Sequence, residues 1–197
     1  RMQLGFMSLK EPVKFVNMEN MDDTIITFDD DKNYPLECAE QLIRASEFCA
    51  DTIIAQESNS LYRDADGRIH YENNVGLRFG QLDFSKYLSN ACLFPPKCFG
   101  DGKILTDYDK FMKVTNATHD ELWFWIVSTL NKKYVLTLSN TYSYAIDDGV
   151  TMPLDDSSLT KENEQPDRIK EYNDRINEVF GKELNAVFDE NPCVIPV

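Results

Sequence analysis

Carboxylates follow two apolar stretches of this chain, at the places where strands would end. Three consecutive aspartates at residues 29–31 follow the run TIITF at residues 24–28, and an aspartate pair at residues 147–148 follows a second apolar run. Mg²⁺ binds proteins through a few carboxylate oxygens and keeps several of its waters. Paired carboxylates at strand ends therefore indicate one candidate chemistry, a divalent-metal site.

The first of these stretches resembles a known motif. The pattern TFDDDKN is similar to the first motif of the haloacid-dehalogenase-like phosphohydrolases, in which an apolar strand delivers Asp-x-Asp to a metal. The resemblance implies that Asp29 and Asp31 hold a divalent cation, with Asp147 or Asp148 as a further ligand. Lys-Asn follows Asp31 here, whereas the family has Gly-Thr. A divalent-metal-dependent phosphohydrolase is accordingly an alternative hypothesis and not the leading one.

Histidine and cysteine offer few further sites. The two histidines are His70, on a predicted hairpin strand near Asp64, and His119, in the first turn of a predicted helix, where we expect it to be exposed. The five cysteines include no CxxC pair, and their odd number is typical of free thiols in a reducing compartment. No G-x-S-x-G, GxGxxG or GxxxxGK[ST] motif occurs. We therefore expect no cofactor, no resident metal and a cytoplasmic protein.

The net charge of −14 is unevenly spread along the chain. Residues 1–72 carry 15 acidic and 7 basic side chains, residues 73–146 carry 6 and 8, and residues 147–197 carry 13 and 5. Negative charge repels phosphate backbones and anionic lipid, and no apolar run approaches the roughly 18 residues that span a bilayer. We expect no direct nucleic-acid binding and no membrane binding, but a protein partner with a basic surface.

An aromatic cluster in the middle of the chain is a second candidate for binding. Trp123, Phe124 and Trp125 are consecutive on a predicted helix, where successive side chains point about 100° apart. Three such side chains cannot all enter one narrow core face, and Trp is enriched in binding hot spots. We expect at least one of them to be exposed or to lie at a second interface, although a helix buried on most sides is the alternative.

Hydrophobic spacing and turn residues predict the secondary structure. Thr106 is expected to cap one helix, Thr118 and Glu121 to form a capping box on another, and Gly181 to kink or end the last one. The predicted elements are strands at 12–18, 24–28 and 75–79, a hairpin turn at Asp66-Gly67, helices at 35–50, 82–93, 106–114 and 118–133, a strand or hairpin at 134–146, and a final helix from Pro166.

These elements define an α+β fold with a mainly antiparallel sheet, interspersed helices and a C-terminal amphipathic helix. We expect a core domain at 1–150, a polar linker at 151–165 and a helical element at 166–197 that packs on the core or on a partner.

The leading functional hypothesis is a non-enzymatic protein of inhibitor type. An immunity protein, or an anti-defence protein whose carboxylates occupy the basic nucleic-acid groove of its target, fits the charge pattern. A structural subunit that assembles with identical copies is a further alternative. The residues predicted to bind the partner are Asp22, Asp23, Asp29, Asp30, Asp31, Trp123, Trp125, Asp147, Asp148, Asp155 and Asp156.

Overall fold

The structure is a computed structural model that confirms the α+β class. It describes residues 2–5, 22–28, 34–59, 61–71, 80, 82–87, 91–138, 163, 165–191 and 195–196, with the backbone alone at 2–5, 86–87 and 195–196. Within those residues, short strands in mostly antiparallel pairs are interspersed with helices, the last of which is C-terminal.

The helices and strands follow one another along the chain in no regular βαβ order. The helices are α1 (Cys38–Phe48), α2 (Tyr108–Thr115), α3 (Asp120–Leu130) and α4 (Pro166–Glu190). The strands are β1 (Met2–Gly5), β2 (Thr24–Thr27), β3 (Ile53–Ala55), β4 (Ser58–Asn59), β5 (Leu61–Arg63), β6 (Ile69–Tyr71), β7 (Leu82–Asp83), β8 (Lys86–Tyr87), β9 (Cys92–Phe94), β10 (Val135–Thr137) and β11 (Ile195–Pro196).

The central sheet has the strand order β1-β2-β9-β3-β10-β7. Strand β9 runs antiparallel to both of its neighbours, while β1–β2 and β3–β10 are parallel pairs. Alternate side chains point to opposite faces of a sheet, so Ile54 and Leu93 enter one core cluster while Ile53 and Phe94 enter the other. The middle strands are apolar at every position because both faces of this sheet are covered.

Helix α1 packs against one face of the central sheet. Cys38 and Leu42 on its inner side are buried with Ile26, Ile54 and Leu93. The helix begins at Cys38, three residues after the predicted start, and the preceding turn leaves Leu36 outside the apolar stripe.

Helices α2, α3 and α4 cover the other face. Residues 122–129 of α3 are all buried, because this helix lies between the sheet on one side and α2 and α4 on the other. Tyr172, Ile176, Phe180 and Phe188 of α4 belong to the same buried cluster as α3 and the strands. The C-terminal helix is therefore part of the main core.

Helix α4 also binds the β5–β6 hairpin through a stripe of asparagine side chains. Asn173 accepts a hydrogen bond from the Tyr71 N–H (3.1 Å) and donates one to the Tyr71 carbonyl (3.1 Å). Asn177 makes the same pair of bonds with Ile69, at 2.8 and 2.7 Å. Four helix residues span about 6 Å and two strand residues about 7 Å, so the spacings match. The side-chain amides satisfy the edge of β6 as a neighbouring strand would.

The hairpin itself is confirmed at the predicted turn. Strand β5 pairs antiparallel with β6, and Gly67 has φ of +79°. A side chain at this backbone angle is strained, which is why the turn uses glycine. Asp64 closes the turn by accepting hydrogen bonds from the N–H groups of Asp66 (3.0 Å) and Arg68 (2.8 Å).

Three local predictions are wrong. Residues 82–93 contain strands β7, β8 and the start of β9 where a helix was predicted, because pairing with β10, β4, β2 and β3 outweighs a weak helical spacing. Asp107, and not Thr106, caps α2 by accepting the Lys110 N–H (3.1 Å). The capping box on α3 is absent, since the Thr118 hydroxyl donates to the Thr115 carbonyl instead (2.9 Å).

The last helix is longer than predicted. Helix α4 continues through Gly181 to Glu190, because Gly181 is buried in line with the asparagine stripe and nothing there obstructs the helical backbone. The predictions for 12–18, 75–79, the end of the 134–146 strand and the 151–165 linker fall outside the described residues, except for the isolated residues 163 and 165.

Candidate protein-binding surface

The solvent side of α1 is a continuous face of exposed residues. At about 100° per residue, the exposed positions within the helix fall in a sector of about 100°, opposite the buried Cys38 and Leu42, and the exposed Leu36 and Glu37 belong to the turn that precedes it. We call this surface the α1 outer face. Its members are Leu36, Glu37, Glu40, Arg44, Glu47 and Phe48.

Two large apolar side chains lie at the ends of this face. Leu36 is 98% exposed and Phe48 is 87% exposed, more than any other large apolar side chain in the described part of the chain. Full burial of such a side chain is worth about 1.5–3 kcal/mol. The α1 outer face therefore holds apolar surface that this chain leaves in water.

Carboxylates lie between the two apolar ends. Glu40 and Arg44 form an ion pair at 2.5 Å across one helical turn. Among the described residues, no base pairs with Glu37 or Glu47. The face is therefore net negative as well as partly apolar, which is the composition that suits a basic partner surface.

Many charges elsewhere in the described chain are paired within the molecule. Every lysine of residues 91–138 pairs with a carboxylate, and four of these pairs join the middle of the sequence to its acidic flanks. The uneven charge along the sequence is thus partly neutralised in space. The pairs are Lys97–Asp22, Lys103–Asp101, Lys110–Asp107, Lys113–Glu178, Lys132–Glu190 and Lys133–Asp51.

The predicted aspartates are only partly described. Asp22 is exposed and lies 3.3 Å from the Lys97 ammonium, while Asp23 is half-buried. The rings of Phe28 and Tyr34, which flank the aspartate run, contact each other at 4.9 Å between centroids and pack against the α1 core cluster. The remaining predicted aspartates, Asp29, Asp30, Asp31, Asp147, Asp148, Asp155 and Asp156, lie outside the described residues, so their convergence on a metal or a partner stays a prediction.

The expected exposure of a tryptophan is not observed, and the alternative, a helix buried on most sides, is confirmed. Trp123 and Trp125 are both fully buried, and Phe124 is 3% exposed. The Trp123 indole N–H donates to the Leu105 carbonyl (3.0 Å) and that of Trp125 to the Phe84 carbonyl (2.8 Å). Because core elements surround α3, its consecutive aromatic side chains all find apolar contacts, and neither Trp offers a surface to a partner.

A buried polar cluster at the start of α3 was not identified from the sequence. His119 was expected to be exposed but is buried, and its Nδ1 lies 3.1 Å from the Glu121 carboxylate. Burial, together with the adjacent charge of Glu121, raises the pKa of Asp120 to about 8. The available signal was the position of His-Asp-Glu directly before eight largely apolar residues, which places titratable groups at the edge of a core.

Other reactive side chains are engaged or protonated. His70 lies 2.9 Å from the half-buried carboxylate of Asp64, and this hydrogen bond lowers the pKa of Asp64. Burial raises the pKa of the Cys38 thiol to about 11, and the thiol accepts a hydrogen bond from Gln56 at 2.8 Å. The four described cysteines are free thiols, as predicted. The thiolate is the reactive form of cysteine, so the protonated, buried Cys38 serves the core and is not a nucleophile.

A shallow cleft of about 500 Å³ lies between the hairpin turn and α4. Its polar side chains already bind within the protein: Arg68 pairs with Asp174, and the Asn185 amide donates to the Gly67 carbonyl (2.7 Å). The cleft is therefore a weaker candidate for a binding site than the α1 outer face.

The described residues hold neither a metal-binding cluster nor a membrane-spanning helix. No group of three or more His, Cys, Asp or Glu side chains there could hold a metal ion. None of the described helices is long and apolar enough to cross a membrane.

No protein-family model, curated protein or solved structure matches the chain. The fold defines the class of the molecule as an α+β protein.

Proposed function

We propose that this chain is a non-enzymatic protein of inhibitor type that binds a basic surface of another protein through the α1 outer face. The observation that carries the proposal is the pair of exposed apolar side chains, Leu36 and Phe48, on a face that also presents Glu37 and Glu47. An immunity protein or an anti-defence protein acting in the cytoplasm is the form of inhibitor that we favour.

Apolar and charged groups have separate parts in this proposal. Burial of Leu36 and Phe48 by the partner supplies affinity, at about 1.5–3 kcal/mol for each side chain. The carboxylates steer the encounter with a basic surface and disfavour acidic partners. If the target surface normally binds nucleic acid, the carboxylates stand in for phosphates. High salt should therefore slow association more than it weakens the apolar contact.

A capture experiment with charge-reversed variants tests the proposal. The tagged full chain is mixed with lysate of its source cells at low and at high salt, and captured proteins are identified by mass spectrometry. The test variant is Glu37→Lys with Glu47→Lys, and the matched control is Asp167→Lys with Glu183→Lys on the exposed side of α4. Circular dichroism and the Tm verify that both variants fold.

The expected result is a captured protein with a basic surface that is lost in the α1 variant and retained by the α4 variant. Equal loss in both variants, or no capture at either salt concentration, would overturn the proposal. Gel filtration with light scattering distinguishes the homo-oligomer alternative, because self-association that the α1 variant abolishes would make a second copy the occupant of this face.

A further inference from the structure

Gly181 interrupts the asparagine stripe of α4. Side chains four residues apart lie on one face of a helix, so position 181 lies in line with Asn173, Asn177 and Asn185. Its backbone is helical and not left-handed, and a Cβ atom at this position would contact only the Asn177 side chain, at 3.6 Å. Glycine in a helix interior is less stable than alanine. Neither the backbone geometry nor the packing therefore requires a glycine here.

The absent side chain leaves space in the cleft between the hairpin turn and α4. Gly67 and Gly181 both line this cleft, whose volume of about 500 Å³ lies within the range of about 300–1,000 Å³ for small-ligand sites. The Asn185 amide donates to the carbonyls of Gly67 and Gly181, at 2.7 and 2.8 Å. These polar groups already have partners, so the two glycines offer a ligand space rather than hydrogen bonds.

Charged side chains of both signs lie at the rim of the cleft. Arg68 from the turn pairs with Asp174 of α4, and Glu178 of α4 pairs with Lys113 at 2.7 Å. The four side chains are between 45% and 65% exposed. Ion pairs in such positions contribute little to stability, so a ligand can replace them with its own charges at small cost.

Both ion pairs leave hydrogen-bonding groups unused. A guanidinium has five N–H donors, and Arg68 donates to Asp174 through Nη2. The Glu178 carboxylate accepts from Lys113 through Oε1. Within the described residues, the remaining side-chain N–H groups of Arg68 and the Oε2 atom of Glu178 have no hydrogen-bond partner. Arg68 therefore offers donors to a carboxylate, and Glu178 offers an oxygen to an ammonium group.

We propose that this cleft binds a small zwitterion, a short peptide with free termini. Arg68 binds its carboxylate, Glu178 binds its ammonium group, and its backbone and small side chains occupy the space beside Gly181. A cleft of this volume suits a drug-sized ligand, which a peptide of about three residues matches better than a single amino acid. The site is independent of the α1 outer face, since no residue belongs to both.

Heteronuclear NMR of the full chain tests the site with trialanine as the probe. The backbone N–H signals of Gly67 and Gly181 and the side-chain amide signals of Asn185 should shift and saturate as trialanine is added, while those of the α1 outer face stay unchanged. Trialanine that is acetylated at its amino group, or amidated at its carboxylate, should bind at least about tenfold more weakly, because each loses a charged hydrogen bond. Free alanine should also bind more weakly, because it fills less of the cleft.

Two variants separate ligand binding from stability. Gly181→Ala places a methyl group in the cleft, so it should weaken trialanine binding while raising the Tm by about 1–4 °C. Arg68→Gln, at the exposed rim, should weaken trialanine binding about tenfold and remove the preference for trialanine over its amidated form. Glu183→Gln, on the exposed side of α4, is the matched control and should bind as the wild type does.

The absence of a saturable shift with trialanine would overturn the proposal, as would equal binding of the blocked peptides or of free alanine. A Gly181→Ala variant that binds trialanine as the wild type does, or that has a lower Tm, would show that the glycine serves the fold and not a ligand. Arg68→Gln keeps the test decisive if Gly181→Ala does not fold. An Arg68→Gln variant that still prefers trialanine over its amidated form would show that Arg68 does not bind the carboxylate.

Discussion

Helices α1 and α4 lie on opposite sides of the central sheet, with α3 between that sheet and α4, and the chain uses their side chains differently. Helix α4 buries its apolar side, binds the edge of β6 through Asn173 and Asn177, and pairs several of its carboxylates with bases of other elements. Helix α1 buries only its inner side, while Leu36 and Phe48 remain in water with Glu37 and Glu47 between them.

The comparison distinguishes side chains on α4 that stabilise the fold from side chains on α1 that are available to a partner. On α4, the asparagine amides contact β6, and four carboxylates pair with bases of other elements: Asp174, Glu178, Asp189 and Glu190. On α1, the outer residues contribute little to the fold, because the burial of Cys38 and Leu42 already fixes the helix. Substitutions on α4 should therefore lower the stability of the fold, whereas substitutions on the α1 outer face should affect binding and leave the stability unchanged.

The largest expected contrast compares the same substitution on the two helices. Phe188→Ala in α4 should lower the free energy of unfolding by about 3–5 kcal/mol, because Phe188 is fully buried and packs on Phe84 at 5.6 Å between centroids. Phe48→Ala in α1 should change it by less than about 0.5 kcal/mol. Urea unfolding measures both values, and equal losses would contradict the distinction between the helices.

The asparagine stripe should be the next most costly to remove. Asn177→Leu leaves the N–H and carbonyl of Ile69 without their partners, and each such buried group costs about 1–3 kcal/mol. The measurement is again the urea midpoint, with Asn131→Leu at a half-buried, intrahelical amide as the control. A loss no greater than that of the control would mean that the edge of β6 does not depend on α4.

The stability of the α4 side should depend on pH through Asp120. Its raised pKa of about 8 means that the folded state binds a proton that the unfolded state releases. The free energy of unfolding should therefore decrease by up to about 1.4 kcal/mol per pH unit between about pH 4 and about pH 8. In Asp120→Asn, the free energy of unfolding, measured from unfolding curves across this pH range, should depend less on pH than in the wild type. An unchanged pH dependence would show that Asp120 is not its source.

The smallest expected contrast concerns paired and unpaired carboxylates. Glu178→Gln breaks the exposed pair with Lys113 (2.7 Å) and should cost between about 0 and 1 kcal/mol. Glu47→Gln, for which no described base is a partner, should not lower the Tm at all. Thermal unfolding of both variants at low salt measures the effect, and a greater loss for Glu47→Gln would show that the α1 outer face serves the fold.

Local patterns predicted part of this architecture. The Asp66-Gly67 turn, the Thr24–Phe28 strand and the final helix from Pro166 follow from turn chemistry, β-branched side chains and helical spacing, and all three are confirmed. Residues 82–93 were mispredicted because their strands are held by distant partners that no local window contains. The burial of Trp123 and Trp125 likewise depends on how many elements surround α3.

Most of the α1 outer face could not be predicted from the sequence. Helical spacing predicted that Leu36 belongs to the apolar stripe of α1, but the side chain is exposed. Its exposure could not be predicted, because it depends on the residue at which the helix begins. Net charge pointed to a basic partner but not to a location, since ion pairs such as Lys113–Glu178 join segments that are far apart in sequence. Asp29 and Asp147 lie outside the described residues and stay predictions.

Site-specific photo-cross-linking tests the central claim most directly. A benzophenone amino acid replaces Phe48 on the α1 outer face or, as the control, Tyr108, an exposed aromatic residue of α2 that is 60% exposed. Irradiation in lysate of the source cells should give a covalent adduct with one basic protein from position 48 and none from position 108. An adduct from position 108 alone, the same adduct from both positions, or none from position 48 would contradict the assignment of α1 as the binding surface.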